Sequence, residues 1–226
     1  MCKRVIAFIP MKCHSERVKD KNIRLFNGKP LFYWIIRTLL KIEQISQIVI
    51  DTDCEKIANK VKEFFDLTII MRPKRLRGDF VSVNKLIENV LSIFKDNNYF
   101  LQTHTTNPLL SSFTIKNAID FYFKNLQKYD SVFSVTRHQS RFYDHLGNPI
   151  NHDPKKLIRT QDLKPLYEEN SNFYLFSRES FFKNRTRVGK NPFLYEVDKL
   201  EAIDIDTEED FLLAELLMKE KIKNGK

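Results

Sequence analysis

The chain has 226 residues and carries 38 Lys and Arg against 29 Asp and Glu, a formal net charge of +9. With 42% hydrophobic and 30% charged residues it has the balance of a globular protein large enough to bury a core, which excludes an intrinsically disordered chain. No apolar run approaches the ~20 residues of a membrane span, and the five glycines form neither G-x-G-x-x-G nor G-x-x-x-x-G-K-[ST].

Short apolar runs alternate with segments of helical period. Val5–Ile9 predicts a fully buried strand, stopped by Pro10, and Leu31–Ile42 a helix after Gly28-Lys29-Pro30. Next come a strand at Ile48–Ile50, a helix at Cys54–Phe65, a strand at Leu67–Met71 and a helix at Ser82–Phe94. Tyr99–Leu101 predicts a strand, followed by a loop with Pro108, a helix at Ser112–Phe123 and a strand at Ser131–Thr136. The rhythm breaks over 137–170, which holds His138, His145, His152 and several prolines, and which reads as an insertion outside the main sheet. It returns with a strand at Asn172–Phe176, a short helix at Arg178–Phe182, a strand at Ala202–Ile205 and a last helix from Glu208 to about Ile222. Continuous apolar strands alternating with helices predict an α/β fold with a mainly parallel sheet, in a single domain over 1–226.

The apolar stretch after Met1-Cys2-Lys3-Arg4 is short for a secretory signal and lacks a small-residue cleavage site. Cys2, Cys13 and Cys54 are odd in number and widely spaced, which argues against a disulfide framework or zinc cluster and predicts a reducing, cytoplasmic setting.

Ligands of open α/β sheets sit at the carboxyl ends of strands, so chemistry is expected from Pro10 onward, at Asp51–Asp53, from Gln102 onward and at Asp204–Asp206. The loop after the first strand packs Lys12, Arg17, Lys19 and Lys21 around Ser15 and Asn22. Point charges from Lys, forked donors from Arg and backbone N–H groups suit a triphosphate, and a solvated basic loop is the plainer alternative. In Asp204-Ile205-Asp206-Thr207 an extended chain would turn both carboxylates to one side and Ile205 to the core. Two carboxylates with phosphate and water fit Mg²⁺; a polar turn before a helix is the bland alternative, and Thr207 with Asp210 resembles a capping box. Asp51 and Asp53 could hold a ribose or a metal, although a helix start accounts for them more simply. Nothing around Cys13-His14 demands a cysteine nucleophile.

The ordered set Ile9-Pro10, Ser15, Lys21-Asn22, Gly28-Lys29-Pro30-Leu31, Thr52-Asp53, Arg72-Pro73, Leu101-Gln102, Pro108-Leu109 and Asp204-Ile205-Asp206-Thr207 resembles the CMP-sialic acid synthetase (acylneuraminate cytidylyltransferase) family from Val5 to Leu217. Arg159-Thr160-Gln161-Asp162-Leu163 is similar to the pseudaminic-acid branch. The resemblance implies a Rossmann-like nucleotidyltransferase that activates a sugar acid with CTP, giving a CMP-sugar and pyrophosphate. By the same resemblance Lys12, Ser15, Lys21, Asn22, Arg72 and Ser82 would hold CTP, and Asp204 and Asp206 would hold Mg²⁺. Gln102, Tyr174 and Arg159 would face the sugar acid, and 137–170 would be a segment reaching over the partner of a homodimer.

The chain departs from the family pattern in places. Lys12 replaces the usual Arg and His14-Ser15-Glu16-Arg17 replaces Gly-Ser-Lys, leaving Arg17 to take over a triphosphate contact. The stretch from Gln102 to Leu109 is two residues longer, and Arg185, Arg187 and Val188 stand where sialic-acid members often carry aromatics. Expected chemistry is in-line attack of an anomeric hydroxyl on the α-phosphorus, with Lys12, Arg17, Lys21, Asp204 and Asp206 as the catalytic set. Pseudaminate, legionaminate, a Kdo-type acid or a phosphonate are alternative acceptors. A nucleic-acid-binding protein is the rival class, opposed by Phe residues that fall on strands and apolar helix faces.

Overall fold

The computed structural model describes residues 3–223; Cys2 and the end of the basic 219–226 tail lie outside them. The strand β1 (Val5–Met11) leads to a hairpin of β2 (Leu25–Phe26) and β3 (Lys29–Pro30), then α1 (Leu31–Leu39) and β4 (Ile45–Thr52). There follow α2 (Glu55–Lys62), β5 (Thr68–Met71), α3 (Val83–Ile93), β6 (Tyr99–Thr103), α4 (Ser112–Lys124) and β7 (Ser131–His138). The chain closes with β8 (Leu166–Ser177), α5 (Arg178–Asn184), β9 (Pro192–Glu196) and α6 (Glu208–Lys223).

Seven strands form one sheet in the order β5-β4-β1-β6-β8-β7-β9, and β8 runs antiparallel to both its neighbours. Alternation along β1 sets the layers. Val5, Ala7, Ile9 and Met11 face a core shared with α1, α2 and α4, while Ile6 and Phe8 face a second core with α3 and α5. All five residues of Val5–Ile9 are fully buried, as a central strand covered on both faces must be. A third cluster packs Phe211, Ala214 and Met218 of α6 on Phe26, Leu31 and Trp34. The β2–β3 turn is made by Asn27 and Gly28, both at positive φ, the Asn-Gly pairing that tight hairpins favour.

Four expectations are corrected. Pro10 does not stop β1: pairing with β6 ends at Phe8, whereas pairing with β4 continues through Pro10↔Asp51 to Met11, so the missing N–H leaves no gap in a two-sided ladder. The interruption is narrower than 137–170, because Arg137 and His138 pair with Tyr167 and Leu166 inside the sheet. Ala202–Ile205 is not a strand. Side-chain amides of Asn172 and Asn107 take the carbonyls of Glu201 and Ile203, and the backbone makes one ladder-like bond, Ile205 N to Thr106 O at 2.9 Å. The strand β9 escaped the sequence pattern because it opens on Pro192; at a sheet edge that position costs no ladder bond. Among the described residues no helix is long and apolar enough to cross a membrane.

The strap between α5 and β9 is tied down by Asp130, whose carboxylate accepts from the backbone of Lys190 and Asn191 at 2.8 and 3.2 Å. Gly189 lies so close to that carboxylate that an added Cβ would collide with it. Gly189→Ala should therefore cost about 1–3 kcal/mol, lowering the unfolding midpoint by several degrees in a calorimetric scan.

Candidate active site

The parallel strands β5, β4, β1 and β6 lie side by side, and the loops leaving β1, β5 and β6 line a cleft of about 280 Å³. Lys12, Ser15, Lys21, Asn22, Arg72 and His104 line it. The loop after β1 is fastened at several points. Asn22 donates to Lys12 O at 3.0 Å and accepts from Thr105 Oγ1 at 2.6 Å, and Cys13 N donates to Asp53 Oδ1 at 2.8 Å. Cys13 and Cys54 form a disulfide, with Cα atoms 4.9 Å apart. This corrects the expectation of unpaired cysteines: 41 residues separate them in sequence, but the adjacency of β1 and β4 brings their ends together.

Each cation of the cleft is met by a carboxylate. Lys12 Nζ lies 2.8 Å from Asp79, whose carboxyl that contact holds below the usual range. Arg17 lies 2.8 Å and Lys21 3.5 Å from Asp206 Oδ1, and Lys21 also donates to Ile205 O at 2.5 Å. Arg72 is almost wholly buried, its Nε 2.8 Å from Asp51 Oδ2 and its Nη2 on Asp51 O, so it is a fixed positive floor rather than a mobile donor. Ser82 caps α3, accepting from Asn84 N at 3.3 Å.

Asp204 and Asp206 flank the buried Ile205 although the segment is not a strand. The expected capping box is formed: Thr207 N donates to Asp210 Oδ2 at 2.8 Å, and Asp210 N to Thr207 Oγ1 at 3.2 Å. Burial pushes the Asp204 carboxyl up, opposed by a hydrogen bond from Thr106 and reinforced by the negative charge of Asp206. Its Oδ1 is buried without a hydrogen-bond partner. An orphaned carboxylate oxygen beside a second carboxylate is what a hard cation completes, with its other ligands from phosphate and water.

Beyond His104 lies a second group of side chains. Gln102 Oε1 accepts from Arg187 Nη1 at 3.0 Å, and its amide nitrogen is 3.1 Å from His104 Nε2. An amide nitrogen only donates, so His104 Nε2 carries no proton. Burial, and then the charges of Arg187 and Lys21, push the His104 imidazole down to about 4. The Arg187 guanidinium stands 3.5 Å from the centroid of the Tyr174 ring, whose hydroxyl donates to Glu169. Gln102 and Tyr174 are thus brought together. Arg159 is not among them: its side chain is 73% exposed and pairs with Asp162 at 2.7 Å. His104, Glu169 and Arg187 were not singled out as site residues from sequence, and the only hint was that His104 and Arg187 stand where the chain leaves the family pattern.

The fold is that of CTP-using synthetases. The structure of a CMP:2-keto-3-deoxy-manno-octonic acid synthetase complexed with CTP superposes with a TM-score of 0.71 at 14% identity, over 97% of this chain and 99% of that one. An N-acylneuraminate cytidylyltransferase of Streptococcus agalactiae is 26% identical over 92% of this chain and 51% of its own length. A pseudaminic acid cytidylyltransferase of Campylobacter jejuni is 25% identical, over 95% of this chain and 96% of its own. The chain spans about half the length of the streptococcal relative. A cytidylyltransferase family profile matches residues 6–223, and the chain belongs to that family.

A neutral, half-buried imidazole makes the fold acid-sensitive. The unfolded chain takes up a proton below about pH 6.5, whereas the folded chain resists until about pH 4. Stability should therefore fall as pH drops through that window, by up to about 3 kcal/mol. Urea titrations of His104→Gln between pH 7 and 4 should show a shallower loss.

Proposed function

We propose that the chain is a cytidylyltransferase that transfers CMP from CTP to a nonulosonic sugar acid of the sialic-acid type, releasing pyrophosphate. The observation that carries this is the cleft at the ends of β1, β5 and β6, lined by Lys12, Lys21 and Arg72, with Lys21 3.5 Å from Asp206. The triphosphate displaces the carboxylates that now meet the cations: Lys12 leaves Asp79, and Arg17 and Lys21 leave Asp206. Asp206 is thereby freed at the moment a polyanion arrives. Asp204 and Asp206 would hold Mg²⁺, the orphaned Asp204 Oδ1 being the fitting donor. When bound, that ion supplies neutralisation of phosphate charge and a lowered pKa for a coordinated hydroxyl. Lys12, Arg17 and Lys21 stabilise charge developing on the leaving pyrophosphate, and the two subsites hold acceptor and phosphorus in line.

The matched length of the pseudaminic acid relative, with Arg159–Leu163 similar to that branch, favours pseudaminate as the second acceptor to be tried. The rival reading, a nucleic-acid binder, is disfavoured by the burial of Phe8, Phe32, Phe100, Phe173 and Phe176, which leaves them unable to stack on bases. A homodimer is part of the proposal. The segment 139–165 exposes Leu146, Ile150, Leu157 and Ile158, a small apolar surface fit for a partner protomer.

Pyrophosphate release should require CTP rather than other nucleoside triphosphates, and one acid of a panel including N-acetylneuraminate, pseudaminate and Kdo. Failure with every acid would sink the activity. Asp204→Asn should lower kcat about 100-fold or more while the unfolding midpoint holds or rises, because a charge buried beside Asp206 is removed. Leu157→Asp, at a residue 85% exposed, should halve the mass seen in sedimentation without unfolding the protomer.

A further inference from the structure

A sugar acid brings its own negative charge, and the cations of the phosphate cleft are committed to phosphate. Its carboxylate must find another cation on the acceptor side or lose hydration without compensation. Arg159, the cation expected there from sequence, lies exposed on the segment outside the sheet and is paired with Asp162.

Arg187 satisfies the requirement. Its strap is held at both ends: Arg185 N donates to Phe181 O at the end of α5, and Gly189 N donates to Ser131 Oγ at 2.8 Å. Val188, between them, packs on the second core cluster. The side chain is only 16% exposed and its guanidinium carbon sits 3.5 Å from the Tyr174 ring centroid. One nitrogen donates to Gln102 Oε1, and another stands 3.6 Å from Glu169, a carboxylate that also accepts from the Tyr174 hydroxyl. A guanidinium has five N–H donors in a planar fork, so these contacts leave capacity for a carboxylate.

The network also has a direction. Arg187 can only donate, which turns the Gln102 amide so that its nitrogen faces His104. His104 in turn feels the charges of both Arg187 and Lys21. The Arg187 guanidinium and the Lys21 ammonium are thus both near enough to one neutral imidazole to act on it.

We infer that Arg187 is the carboxylate-recognising residue of the acceptor subsite, held in place by Tyr174, Gln102 and Glu169 and taking the acid in place of Glu169. The inference rests on the proposed activity for its substrate class. It places a carboxylate partner on this chain's own strap, independently of the segment carrying Arg159.

The test compares the full chain with Arg187→Gln and Arg187→Lys, using the acceptor acid and its carboxamide. The KM for the acid should rise about 10- to 100-fold in Arg187→Gln and less in Arg187→Lys, with the KM for CTP unchanged. The carboxamide, which keeps the shape and loses the charge, should be discriminated by the parent chain and not by Arg187→Gln. CTP affinity and the unfolding midpoint of each variant report on the fold. Calorimetric titration of N-acetylneuraminate and pseudaminate into the CTP-loaded chain without divalent cation separates this inference from the activity. Acid binding that Arg187→Gln abolishes supports the assignment even if no turnover occurs. An unchanged KM, equal discrimination of the carboxamide by both chains, or no acid binding by the parent chain overturns it.

Discussion

The burial of β1 on both faces is the constraint from which the rest follows. Val5–Ile9 have no exposed side, so the strand takes one position between β4 and β6, and helices must cover it above and below. That fixes where the chain emerges: Met11 sits at the edge of the sheet opposite Thr52, and Lys12 and Cys13 begin a loop that cannot drift. The disulfide to Cys54 and the bond from Cys13 N to Asp53 fasten the loop to the end of β4. The bond from Thr105 to Asn22 fastens it to the chain leaving β6. A flexible basic loop becomes a wall of a cleft because the strand beneath it is immovable.

Charge is organised on the same scaffold by pairing. Lys12 rests on Asp79, Arg17 and Lys21 on Asp206, Arg72 on Asp51 and Arg187 near Glu169. The pairs differ in kind. Arg72 and Asp51 are buried and cannot part without leaving an unpaired charge, so they are structural. The Asp79 and Asp206 pairs are partly exposed, are worth little by themselves in water, and yield readily to a polyanion. A cation paired with a carboxylate adds nothing to the net charge, so most of the +9 comes from the surplus of Lys and Arg elsewhere in the chain.

Much of this was legible in the chain. Strands buried on both faces announce themselves as unbroken apolar runs, so β1, β4, β5 and β6 and the helices between them were found, with ends shifted by a few residues. The loop cations and the Asp-x-Asp pair were visible because their chemistry is written in residue type and order. The ladder of β9, opened by a proline, was not. Nor was the irregular backbone at 202–205, where the amides of Asn107 and Asn172 satisfy carbonyls that a neighbouring strand would otherwise take. No local pattern marks a partner some 30 or 100 residues away.

The sequence by itself determined the α/β class and the family, since these depend on periodicity and on motifs that keep their order, and it marked the loop residues that line the cleft. Tertiary structure alone decided which charges meet. It put Arg187 against Gln102 and Tyr174 while Arg159 pairs with Asp162, and it brought a neutral His104 under the charges of Arg187 and Lys21. It also closed Cys13 on Cys54. The physical reason is that charge pairing, burial and covalent closure depend on distance in space. That distance is set by how strands stack in the sheet, which no spacing along the chain records.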